Sequence, residues 1–325
     1  MDLKLASVLI EEDSNGIRRN VPNMKYKKWE INSLGFRGKE IDLEKEGGQI
    51  RVVCLGLSET FGIYESKGKE WPSQLGEMLK DQFPNVEVIN VSVAGQKLKK
   101  VKDYVEKYVL PLKPDIMVMS QGALLPVMDF VRGLEGGCLR KKVKRKKISK
   151  RIFSKFEETI GKLLPNWFLT RMSLWRLQRK IKKKGEKYLT NKELMSQVPG
   201  NIVLEFERDI KSFVHYQKEN HIIPILLTFP YLLTPSNKEL YKNILLAARR
   251  LCVVLSGEGI LDASEKLNEV IIRISKEENV ASIDNNHLIP KTLEYFVDYS
   301  HYTDKGAEFI AKSVYDLLIR GELIK

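Results

Sequence analysis

The chain has 325 residues, 43% of them hydrophobic and 30% charged, with a formal net charge of +13. That is enough apolar material for one large domain or two modest ones, and with no run of about 18 apolar residues no membrane-spanning helix is expected. Cys54, Cys138 and Cys252 are too few and too widely spaced for a disulfide framework or a zinc site, so a reducing compartment or buried thiols are expected.

The opening stretch "MDLKLASVLIEEDSNG" has one lysine and a brief apolar patch followed at once by acids, which does not read as a secretory signal. A cytoplasmic location is the expectation. Residues 1–50 are read as a lead-in segment. Residues 51–57 form a β-branched strand that runs into the turn "CLGLSETFG" and delivers Ser58. "PSQLGEMLKDQF" (72–83) has helical spacing with Pro72 in its first turn, "VEVINVS" (86–92) is a second strand, and Gly95 follows it. A helix is expected over 97–110, closed by Pro111 and Pro114, and "DIMVMSQG" (115–122) is a third, wholly apolar strand. Residues 123–200 interrupt the pattern. It resumes with a helix near 201–219, a strand at 222–229, helices near 237–255 and 262–278, a strand at 280–284 and a helix near 303–321.

Strands separated by helices imply one mostly parallel sheet covered on both faces, with ligands at the carboxyl ends of the strands. Ser58, "SVAGQ" (92–96) and "SQGAL" (120–124) all follow strand ends and should meet at one edge. A serine hydroxyl becomes a nucleophile only when a base takes its proton, and the usual base is a histidine held by a carboxylate. Of the four histidines, His215 and His221 fall in or after a helix and read as surface or cap residues, while His287 lies in an ambiguous loop. His301 stands three residues after Asp298, just before a helix that Thr303 or Ser300 would cap. Such a D-x-x-H turn folds the carboxylate onto its own imidazole; it is also found as a plain capping pair. Asp284 and Asp262 read as caps. No metal-ligand spacing or phosphate-binding loop is present, and no cofactor is expected.

These blocks, in this order, resemble the SGNH (GDSL) hydrolase superfamily of bacterial serine esterases. Gly56, Ser58, Thr60 and Gly62 match its first block, G-D-S-x-T-x-G, with Leu57 at the Asp position. Gly95 matches the glycine after the second strand, and Asp298, His301 and Gly306 match the last block. "NSLGFRGKEIDL" (32–43) resembles the lead-in of many members. The likeness covers about 51–122 and 201–321. It implies a three-layer α/β/α domain over 51–325 with a flavodoxin-like sheet, interrupted by a helical basic insertion. It also implies hydrolysis of an ester, an O-acyl group on a carbohydrate or lipid, by Ser58 as nucleophile, His301 as base and Asp298 as its orienter. The N–H groups of Ser58 and Gly95 would hold the oxyanion. Acyl transfer would use the same residues. The third block departs from the pattern: Leu124 stands where an Asn usually donates to the oxyanion, and loss of one such donor typically costs about 10²–10³ in turnover. Gln121 would replace it only if the turn were shifted. A catalytically weak binding protein of the same fold is the competing implication, and a membrane-surface scaffold working through the insertion is a third.

The basicity is local. "RKKVKRKKISKR" (140–151) has nine Lys/Arg and no acid, and "RLQRKIKKKGEK" (176–187) has seven against one Glu. Over 163–184, Leu164, Trp167, Phe168, Leu174, Trp175 and Ile181 gather on one side of a helical wheel, interrupted by Arg171, with Arg176, Arg179, Lys180 and Lys183 on the other. Two readings follow for 138–190: peripheral contact with an anionic membrane surface, or a lid packed on the hydrolase with a solvated basic face. Nucleic acid is not expected, because no recognisable module accompanies the charge.

Overall fold

Five runs of aliphatic and β-branched residues pair edge to edge into one parallel sheet: β5 (Ile50–Gly56), β6 (Val86–Asn90), β7 (Ile116–Ser120), β8 (Ile223–Leu227) and β9 (Ala281–Ile283), in the order β6-β5-β7-β8-β9. The computed structural model describes residues 8–122, 126–127, 194–249, 252 and 254–324; Leu124, Cys138 and the basic stretch 138–190 lie outside them. β5 and β7 are buried along nearly their whole length, as strands covered on both faces must be.

The chain leaves β5 towards β6 on one side and returns past β5 to β7 on the other. That reversal is the switch point at which doubly wound sheets open a crevice, and the order is the flavodoxin-like one. Right-handed crossovers then fix the layers. Helix α2 (Trp71–Leu79), between β5 and β6, covers one face. The helical segment 98–112, α4 (Gly200–Glu219) and α6 (Gly257–Glu277) connect strands in the opposite sense and cover the other. The last helix, α8 (Asp304–Arg320), packs on α2 and completes the first layer. The protein is therefore a three-layer α/β/α domain.

Three local expectations are corrected. The single helix expected over 97–110 is a 3₁₀ turn (Leu98–Lys100), one α turn, α3 (Val101–Tyr104), a π turn (Val105–Val109) and a second 3₁₀ turn (Leu110–Leu112). Its inward side chains Val101, Tyr104, Val105, Val109 and Leu112 are all buried and keep the one-face spacing of a helix through these changes of turn. The helices between β8 and β9 are α5 (Lys242–Arg249) and α6, which begins at Gly257 because Ser256 caps it. Asp262 is not a cap. It sits one turn inside α6, where its carboxylate accepts the Val198 N–H at 2.8 Å.

The lead-in is built into the domain. Hairpins β1–β2 (Ile10–Glu12, Arg18–Asn20) and β3–β4 (Lys25–Tyr26, Trp29–Glu30) lie along the sheet's carboxyl edge. The Asn20 amide donates to the Ser92 carbonyl at 3.1 Å and the Trp29 indole to the Gly62 carbonyl at 3.2 Å. Leu9, Trp29, Ile31, Phe61, Ile63 and Ala94 form a second apolar cluster there.

Candidate active site

Beyond Gly56 the chain turns at once into α1 (Ser58–Phe61), one helical turn that ends at Gly62 in the left-handed region, φ +80°. Gly56 lets this turn fold tightly. A Cβ there would lie 2.1 Å from Thr60 Oγ1 and 2.9 Å from the Ser120 carbonyl oxygen. Ser58 is the first residue of α1, so its N–H belongs to the set that a helix start leaves without an internal acceptor. Arg37, buried at 6% exposure, fixes the far end of the turn: its guanidinium donates to the Phe61 and Gly62 carbonyls and to Glu70 Oε2, the last at 2.9 Å.

From the other end of the sequence, the loop before α8 brings Asp298 and His301. Thr303 caps α8 through the Gly306 N–H at 3.1 Å, and the Val297 N–H donates to the His301 carbonyl at 2.8 Å, which closes the loop. Within it the Asp298 carboxylate accepts the Ser300 and His301 amides at 3.0 Å and His301 Nδ1 at 2.9 Å. The opposite nitrogen, His301 Nε2, lies 3.0 Å from Ser58 Oγ. Three side chains separated by up to 243 positions thus form one hydrogen-bonded line. The ring of Tyr64 stands edge-on to the imidazole at 5.1 Å and that of Tyr299 at 6.4 Å.

Burial alone would favour neutral imidazole. The charges of Asp298 and Glu59 and the Asp298 hydrogen bond outweigh it and hold His301 up at about 9. Asp298 is pulled the other way: against its burial, the His301 charge and the hydrogen bonds keep its carboxyl below the ordinary range.

Gly95 lies beside this line. Its φ is +72°, and the turn that contains it is closed by the Gln96 N–H donating to the Val93 carbonyl at 3.1 Å. The Val93 N–H reaches the Gly56 carbonyl at 3.4 Å and Ala94 packs with Phe61, so the Gly95 turn abuts α1. The Gly95 N–H finds no acceptor among the described residues. Gln121, just past β7, is 2% exposed and its Nε2 has no hydrogen-bond partner among them either.

Three of the site's neighbours carry no recognisable sequence signal. Arg18 reaches the Gly95 carbonyl from β2 at 3.4 Å, Arg37 buttresses α1, and Glu59 places a carboxylate oxygen 3.6 Å from His301 Nε2. The remaining histidines are elsewhere. His215 bonds Glu278 at 2.8 Å, His287 bonds Asp284 at 2.8 Å, and His221 follows the end of α4 with a positive φ of 59°. Asp284 also caps α7 (Asn285–Leu288). Among the described residues no group of three or more His, Cys, Asp and Glu side chains is arranged to hold a metal ion. A cavity of about 630 Å³ opens nearby, lined in part by Tyr231, Leu233, Leu261, Asn286 and Lys291. Tyr231 stacks on Tyr299 at 6.4 Å.

No protein-family model and no curated protein sequence matches the chain. Solved structures with a similar course include the lipase/acylhydrolase from Enterococcus faecalis, at 15% identity and a TM-score of 0.48, over 83% of this chain and 95% of that one. A putative lipolytic protein of the G-D-S-L family from Desulfitobacterium hafniense is similar at 16% identity and TM-score 0.47, over 83% and 100%. An acetyl xylan esterase from Geobacillus stearothermophilus is similar at 15% identity and TM-score 0.46, over 84% and 95%. The chemistry of the site rests on this chain's own residues. No helix among those described is long and apolar enough to cross a membrane.

Proposed function

We propose that this protein is a serine hydrolase of the SGNH type that cleaves an ester through Ser58, His301 and Asp298. The observation that carries the reading is the unbroken line from Ser58 Oγ through His301 (3.0 Å at Nε2, 2.9 Å at Nδ1) to Asp298. Neutral His301 takes the Ser58 proton as Oγ bonds to the acyl carbon, then returns it to the leaving alcohol. The acyl-serine that remains is attacked by water, which His301 deprotonates in turn. Asp298 fixes the tautomer with the proton on Nδ1 and stabilises the imidazolium in both halves. The N–H groups of Ser58 and Gly95 are the oxyanion donors that the family resemblance implies, and the reading is supported by their adjoining turns and by the lack of a backbone acceptor for either among the described residues.

The substrate class follows from the family resemblance: an O-acyl group on a carbohydrate or lipid. The experiment is labelling with a fluorophosphonate, with hydrolysis of p-nitrophenyl acetate as the companion assay. The wild-type chain is expected to label and to turn over. Ser58→Ala should lose both, with its unfolding transition unchanged. An unlabelled wild type, or a Ser58→Ala variant that still labels, rejects the reading.

A further inference from the structure

Glu59 follows Ser58 in α1 and points into the protein at 5% exposure. Its Oε1 accepts the Ser300 hydroxyl at 3.2 Å and lies 3.6 Å from His301 Nε2. Its Oε2 is buried with no hydrogen-bond partner among the described residues. The imidazole is therefore flanked by carboxyl groups at both ends, with Asp298 at Nδ1 and Glu59 beside Nε2, the nitrogen that faces Ser58. A triad uses only the first of these.

We propose that Glu59 is a positioning residue for the proton of His301: it holds that proton on the imidazole, so the site rests as an imidazolium–carboxylate pair and the base is freed only in alkaline solution. This rests on the reading of Ser58, His301 and Asp298 as a triad. In the resting pair His301 carries protons on both nitrogens and Glu59 is ionised. Hydroxide or a buffer base removes the Nε2 proton. The neutral imidazole then accepts the Ser58 proton as Oγ attacks, and the imidazolium that re-forms again faces the Glu59 carboxylate.

The surroundings support this direction. Asp298 faces the imidazole from its own loop and Glu59 from α1, while Glu65, on the segment after α1, is pushed up to about 8 by burial and is neutral at pH 7. Tyr64 and Tyr299 present ring edges. Arg37 and Lys28 act on Glu65. An opposite charge at this range favours the charged form of its partner by roughly 1–3 pH units. The level of about 9 at which His301 sits, against its burial, includes the charges of both Asp298 and Glu59. Burial in turn pushes the Glu59 carboxyl up, with the His301 charge the largest effect opposing it.

The test is the pH dependence of His301 itself, read by NMR of the imidazole with His301→Asn for assignment, alongside the pH profile of fluorophosphonate labelling. The wild-type midpoint is expected near 9, and Glu59→Gln should lower it by at least about one unit. The acid limb of the labelling rate should move with it. At pH 7 the free-base fraction then rises about tenfold, while the alkaline plateau falls because the base is weaker. A residue that only filled space would change the rate without moving the midpoint. Equal midpoints in wild type and Glu59→Gln overturn the proposal, as does a wild-type midpoint near the ordinary histidine value of about 6.5. That second measurement needs no variant and stands if Glu59→Gln fails to fold. Labelling with unmoved midpoints would sink Glu59 and leave the triad. A midpoint that moves in a protein that never labels would uphold the Glu59–His301 coupling and sink the triad.

Discussion

The Asp298 carboxylate accepts the Ser300 and His301 amides at 3.0 Å as well as the imidazole at 2.9 Å. The same group therefore shapes the loop and holds the ring. Asp298→Asn keeps an acceptor for the amides but removes the charge and the tautomer control. It is expected to lower ester turnover by about 10³–10⁴ while the unfolding transition moves little. Glu65 offers a prediction about stability. Burial pushes its carboxyl up to about 8, so in the fold it is neutral at pH 7, whereas in the unfolded chain it ionises near about 4.5. The unfolded state then binds fewer protons, and stability falls as pH rises from about 4.5 to about 8. His301, raised to about 9, adds to the loss at higher pH, since its contribution is present below about 6.5 and disappears as pH passes 9. Glu65→Gln should flatten the lower part of this fall, and urea midpoints measured at pH 5, 7 and 9 would check it. A difference between the two proteins that does not change with pH would contradict the buried-acid account.

At the scale of elements, the loop before α8 is held by the start of its own helix. A Cβ on Gly306 would lie 2.0 Å from the Tyr295 carbonyl oxygen, and that backbone leads directly into Asp298. Gly306→Ala is expected to cost about 1–3 kcal/mol by overpacking and to lower activity by displacing His301. Thr303→Ala removes the cap and should cost about 1 kcal/mol, with a smaller effect on rate. Guanidinium unfolding and ester kinetics on the two variants would separate them. Much at this scale is legible in the sequence. The strands that end at Gly56 and Ser120 announce themselves by continuous aliphatic runs, and Ser58, Asp298 and His301 by their spacing from glycine and from a helix start. Glu59 is not legible, because it fills a position the serine block leaves open and its meaning depends on a histidine 242 positions away. The segment 98–112 reads as one helix because its buried positions keep helical spacing, and the changes between 3₁₀, α and π turns leave no mark in that pattern.

At the scale of the whole molecule, the lead-in segment and the domain share a buried ion pair. Arg37 and Glu70 are each 3% exposed at the side chain and 2.9 Å apart, with Ser73 donating to the same carboxylate at 2.7 Å. Arg37→Met leaves Glu70 charged and uncompensated, and also strips the Phe61 and Gly62 carbonyls of their donor. The expected loss is about 3–5 kcal/mol in urea unfolding, and the double variant with Glu70→Met should regain part of it. An Arg37→Met variant as stable as wild type would show the lead-in to be an ornament of the fold. Nothing local in "NSLGFRGKE" declares this role, since the partners lie 24 to 33 positions ahead and only the folded chain brings them together.

Helix α8 is tied to the first half of the chain by more than apolar packing. The Ser66 N–H donates to Asp304 Oδ1 at 2.6 Å and the Gln74 amide to the Asp304 carbonyl at 3.1 Å. On the ribosome, Ser58 emerges long before its partners and waits as an inert alcohol on an incomplete sheet. A nascent chain arrested anywhere before α8 should therefore take no fluorophosphonate, and labelling should appear in one step once that helix can dock. The nucleophile would then serve as a clock for the end of folding, a chemical signal that residues 58 and 301 have met.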